Sequence, residues 1–237
     1  MRKYFLVIIA SVVLATRAWA SGSEIDISGL TQTEFRDLSR ELGLASSYKA
    51  VAPAEPLGVT GFDLGLELSL VDVEENTSYW DKSFDDIPDF VPVTKLRVIK
   101  GLPFNLDIGA FYSKIPSCDV RLWGGELKWA YWGGSAATPA LAIRGFYTEL
   151  QRVMGLDFNT KGIDVSISKG FANFTPYAGI GRVWIESDPT MMSLEEEQLA
   201  ESRLFGGLQI SFTVLKVVVE AELAEIPTYT VKFSAGF

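Results

Sequence analysis

Residues 228–237 alternate between an apolar file, Tyr229, Val231, Phe233, Ala235 and Phe237, and a polar one, Thr228, Thr230, Lys232 and Ser234, with Gly236. Period two sustained over ten residues is the pattern of a β-strand whose two faces meet different surroundings. Such a strand must place its apolar file against a second packed layer or against lipid. The same partition begins at residue 59, where Phe62, Leu64, Leu66, Leu68 and Leu70 oppose Gly61, Asp63, Gly65, Glu67 and Ser69. It recurs in residues 104–113, 120–131, 140–150, 158–169, 174–186, 204–212 and 217–223, and most weakly in 90–100. With the terminal strand this predicts about ten strands, eight and twelve being the alternatives.

Connection lengths test that count. Short links fall at residues 101–103, 132–139, 170–173 and 213–215, and the two longest at 74–89 and 187–202, on alternate ends of the strands. Short turns on one side and long loops on the other are the asymmetry of a barrel crossing a membrane, with the short turns inside. An even strand number lets both termini lie at the same end, that of the short turns. No stretch beyond the leader offers some 18 uninterrupted apolar residues for a membrane helix, so a membrane-embedded chain has to be a closed barrel, the other structure that satisfies every backbone group in hydrocarbon.

The N-terminal region is organised differently. Arg2 and Lys3 precede an apolar run over residues 5–15, and Ala18 and Ala20 provide the small residues for cleavage, so residues 1–20 read as an export signal. Residues 21–58 then form a separate unit. Thr31 and Glu34 make a capping box, Phe35, Leu38 and Leu42 share a helical face, and Gly43 is the expected C-cap. The helix is predicted to fold into the lumen as a plug or to cap the periplasmic mouth, since its apolar face needs cover. Pro53 and Pro56 mark an irregular lead into the barrel of residues 59–237. A second capping box, Ser193 with Glu196, predicts another short helix over residues 193–202.

Composition excludes several function classes. Net charge is −9, and loss of Arg2, Lys3 and Arg17 with the leader takes it to about −12, which speaks against nucleic acid as a partner. A single cysteine, Cys118, excludes an internal disulfide framework. The chain has no histidine, so it lacks the usual base of acyl-transfer and protease sites and the usual zinc ligand. No enzyme activity, metal or cofactor is expected. The charges instead gather on the polar file: Asp63, Glu67, Lys95, Arg97, Asp107, Glu126, Lys128, Arg144, Asp164, Arg182, Glu220, Glu222 and Lys232. Across a barrel this narrow they are expected to pair, either closing the lumen or lining a thin polar passage.

A chain that ends on an aromatic, on a strand such as Tyr229, Val231, Phe233 and Phe237 form, resembles a Gram-negative outer-membrane β-barrel of the small OmpA-like or OmpW-like kind. The resemblance spans residues 59–237 and rests on pattern, with no subfamily motif. It implies an all-β, antiparallel, transmembrane up-and-down barrel in the bacterial outer membrane, a terminal strand read by the barrel assembly machinery, and contact with outer-membrane lipid and lipopolysaccharide. It also implies a structural or porin-like role, with a small solute as possible cargo. Two rivals stand beside this: a secreted, soluble lipocalin-like binder of an apolar ligand, and a surface protein that adheres through its outer loops. Alternation alone does not say which file faces inward.

Overall fold

Strand pairing runs unbroken around the chain. In the computed structural model, which describes residues 27–72, 90–114, 120–153, 155–190 and 193–237, the strands are β1 (Phe62–Asp72), β2 (Phe90–Leu102), β3 (Leu106–Lys114), β4 (Arg121–Trp132), β5 (Ala140–Gln151), β6 (Leu156–Ser168), β7 (Phe174–Pro189), β8 (Glu197–Phe212), β9 (Leu215–Leu223) and β10 (Thr228–Gly236). Each is antiparallel to the next, and β1 closes the barrel on β10 with Leu66 opposite Phe233. Closure leaves no unpaired edge, so every strand is hydrogen-bonded on both sides. The leader, residues 74–89 and Cys118 lie outside the described residues.

The polarity of the wall separates the two barrel readings. Leu64, Leu66, Leu96, Ile108, Leu127, Ile163, Val165, Leu204 and Val219 are exposed on the outside, while Asp63, Glu67, Lys95, Arg97, Asp164 and Lys232 are buried inside. A soluble ligand-binding barrel requires the opposite arrangement. Amphipathic rings gather in two bands: Tyr112, Trp123, Tyr147, Trp184 and Tyr229 toward the long loops, and Trp129, Tyr131 and Trp132 toward the short turns. That is the distribution of a wall crossing an apolar slab between two interfaces. No helix among the described residues is long and apolar enough to cross a membrane.

Two expectations about helices are corrected. The N-terminal helix, α1 (Gln32–Ser46), has the predicted capping box, with Thr31 N donating to Glu34 Oε2 at 2.9 Å, but it runs a full turn beyond Leu42. Gly43 is not its cap. A Cβ there would meet the Ile185 side chain at 2.5–2.7 Å, so Gly43 is the point where the helix presses on the barrel wall. The second predicted helix does not form. Residues from Glu197 onward belong to β8, paired from Ser187 opposite Glu197, because the long β7 offers ladder hydrogen bonds that a lone capping box cannot match.

Candidate functional site: the filled lumen

The N-terminal segment does not sit beneath the barrel. It passes through it. Gln32, at the start of α1, donates to Glu197 Oε1 at 2.6 Å and accepts from Glu195 N at 2.9 Å, which places it at the loop end, beside the start of β8. At the opposite end of the segment Gly58 turns with φ +77 into β1, and a Cβ on Gly101 would run into the Gly58 carbonyl oxygen. The expectation that both termini lie at the short-turn end therefore holds for the strands but not for residue 27. Between these points α1 fills the outer half of the lumen and residues 47–57 descend through the inner half.

Of the helix residues expected to plug, Phe35 and Leu38 are buried against Val183, Ile185 and Leu199, while Leu42 is partly buried at the margin of that cluster. Polar contacts complete the fit: Ser39 Oγ donates to Ser187 Oγ at 2.9 Å and Arg40 Nε to Glu201 Oε1 at 3.0 Å.

Below the helix, the wall grips the chain mainly by its backbone. Arg203 Nη1 donates to Tyr48 O at 2.7 Å; Val51 N donates to Glu220 Oε2 at 2.7 Å; Ala54 N donates to Ser168 Oγ at 3.1 Å. Lys128 Nζ donates to Pro53 O and Glu55 O at 2.9 and 3.0 Å, and Leu57 N to Asp107 Oδ1 at 3.1 Å. A segment with no strand partner thus has its buried backbone groups satisfied by wall side chains, as burial demands. Val51 has φ +33, a conformation costly for a β-branched residue, and the Glu220 contact helps to hold it there.

The wall charges form four groups. Near the short turns Asp63 meets Lys232 at 3.2 Å and Lys216 at 3.4 Å, and Asp107 meets Lys128 at 3.0 Å. Higher up, Glu67 accepts from Arg97 Nε at 2.9 Å and lies 3.4 Å from Lys95. The largest group is centred on Asp164, which accepts from Arg144 Nε at 2.9 Å and from Arg203 Nη2 at 2.8 Å; Arg144 continues to Glu126 at 3.4 Å and Arg203 to Glu222 at 3.0 Å. Lys49 of the plug joins Glu222 at 2.5 Å, and Glu220 accepts from Tyr177.

Arg182 does not belong to these groups. It was expected in the lumen, but Val183 and Ile185 point inward on β7, so Arg182 is exposed on the outer wall. Its inward counterpart is Arg203, which falls between the helix predicted over residues 193–202 and the strand predicted over 204–212 and so was placed in neither. Tyr48 and Lys49 were also missed. Lys49 is the single cation of the Pro- and Ala-rich residues 45–58, and that isolation beside a tyrosine was the available signal.

Aromatic rings seal the space between the charges. Tyr48 lies 5.3 Å from Phe111 and 6.1 Å from Phe146, with the Arg97 guanidinium 4.1 Å above its ring. Four inward rings each cover a cross-strand glycine: Phe111 over Gly124, Phe146 over Gly162, Phe205 over Gly179 and Tyr177 over Gly207. Tyr48, Lys49, Lys95 and Arg97 have no accessible surface, so no water column passes their level. At the short-turn end a polar vestibule of about 230 Å³ opens, lined by Asp63, Gln209, Lys216 and Lys232.

No protein-family model and no curated protein sequence matches this chain. Among solved structures, the N-terminal β-barrel domain of Pseudomonas aeruginosa OprF aligns over 76% of this chain and 99% of its own, at 12% identity and a TM-score of 0.38. Ail, the attachment invasion locus protein of Yersinia pestis, covers 75% and 97% at 9% identity and 0.31, and Neisserial surface protein A covers 74% and 94% at 10% identity and 0.29. At such values the likeness goes no further than barrel type. Its closed ring of antiparallel strands, apolar exterior and polar interior give the chain the architecture of a small transmembrane β-barrel.

Proposed function

We propose that this protein is a bacterial outer-membrane barrel held closed by its own N-terminal segment, and that the segment is a plug over a narrow polar passage. The observation that carries the closed state is the solvent-free layer of Tyr48, Lys49, Lys95 and Arg97. A second observation favours a passage over a permanently solid barrel. Asp63 with Lys232, Glu67 with Arg97, Asp107 with Lys128, and Asp164 with Arg144 and Arg203 are all pairs between wall residues, so they survive departure of the plug. A barrel whose charges needed the plug would be left with uncompensated buried ions, a state that costs several kcal/mol.

With the plug gone, paired cations and carboxylates would line the lumen and favour a small polar solute. Planar-bilayer conductance of the full chain and of a form starting near Leu57 tests this. Silence from the full chain and steady conductance from the shortened one is the expected result. Silence from both, with insertion verified, removes the passage and leaves a structural role.

A further inference from the structure

Midway along β7, Arg182 points out of the barrel into the apolar belt, between Ile163 on β6 and Ser202 on β8. Among the described residues its side chain has no hydrogen bond and no ion pair. The other outward charges of the described strands lie at a strand end or level with the aromatic bands: Lys161, for example, stands opposite Trp184 and is paired with Glu186. Arg182 lies two residues deeper than Trp184, which at about 3.3 Å per residue and a tilt near 40° is roughly 5 Å further into hydrocarbon.

An unpaired cation at that depth is destabilising unless something in the bilayer answers it. The long arginine stem lets the guanidinium rise toward the interface, where it meets headgroups rather than acyl chains. Beside Arg182 the wall is hollowed into an open groove of about 680 Å³ walled by Ile163, Val165, Ile180, Leu204 and Leu223. Above it stand Trp184, Tyr147 and the Lys161–Glu186 pair, polar-tipped groups at the level of a headgroup.

We infer that Arg182 and this groove form a docking site for a phosphorylated glycolipid of the outer leaflet, lipid A in chemical terms, with an acyl chain in the groove and a phosphate on the guanidinium. Arginine matches phosphate with two parallel charge-assisted hydrogen bonds, a geometry that neither water nor a neutral headgroup supplies. The long loops mark the end of the barrel nearer this site as the outward one, so the site rests on the outer-membrane reading above and is independent of the plug.

Native mass spectrometry of the full-length protein in detergent tests it, with folding confirmed by heat-modifiable migration on gels. Bisphosphorylated lipid A, the same lipid after dephosphorylation, and phosphatidylglycerol are titrated against the parent protein and Arg182→Leu, with Arg182→Gln in reserve should the leucine form not fold. Affinity for lipid A should fall roughly ten-fold in the variant, and the dephosphorylated lipid should bind the parent protein as weakly. Equal binding by Arg182→Leu, or by dephosphorylated lipid A, overturns the phosphate site. Phosphatidylglycerol binding as tightly as lipid A overturns the glycolipid assignment. Because folding is read separately, failure of the site is distinguishable from failure of the barrel.

Discussion

Asp164 accepts from two arginines at once, through both of its oxygens, and each arginine passes on to a further carboxylate, Glu126 or Glu222. Removing its charge leaves two buried guanidinium groups short of a partner, whereas removing an exposed arginine from the lipid face leaves nothing unpaired. Asp164→Asn is therefore expected to lower unfolding free energy by about 3–5 kcal/mol in denaturant titrations, and Arg182→Leu to lower it not at all. Steric fit is equally local. A side chain at Gly162 would run into the Phe146 ring that lies across it, so Gly162→Val should cost about 1–3 kcal/mol, and much of that should return in the double variant with Phe146→Ala. A double variant no better than the sum of its parts would show that ring and glycine do not meet.

Gly43 is where helix and wall come closest. Gly43→Leu should push α1 out of its seat against Ile185, and the full-length variant should then conduct in planar bilayers where the parent chain does not; restoring silence with Ile185→Ala would tie the effect to that contact. The sequence alone showed this helix by its Thr31 and Glu34 capping box, but not its length, because a glycine after an amphipathic turn reads as a stop and its use as a close contact depends on a residue 142 positions away. The strands were legible in number because alternation is local. Their faces were harder. On β7 the inward file is Tyr177, two glycines, Val183 and Ile185, and the outward file contains Arg182, so a polarity rule inverts there. The reason is the plug: an apolar helix in the outer lumen makes apolar inward residues favourable where water or ions would otherwise stand. The β8 extension was hidden for a related reason, since its outward residues Ala200 and Ser202 are small and its ladder depends on the length of β7.

The barrel, its charge groups and its plug together describe a wall with a chain passed through it, loop end to turn end. The wall pairs most of its own charges and contributes side chains that bind the backbone of residues 48–57, so plug and passage are parts of one device. That account makes a topological claim that no plain barrel would share: residue 29 and the short turn at residue 136 lie on opposite sides of the membrane, although the strands begin and end on the same side. Both positions are exposed, and space around Gly29 is open. The decisive measurement is labelling of intact cells with a membrane-impermeant maleimide, using Gly29→Cys and Ala136→Cys in a background where Cys118 is replaced by serine. The threaded plug predicts that Gly29→Cys labels on intact cells and Ala136→Cys only after the outer membrane is permeabilised. Labelling of Gly29→Cys only after permeabilisation, together with Ala136→Cys, would contradict it.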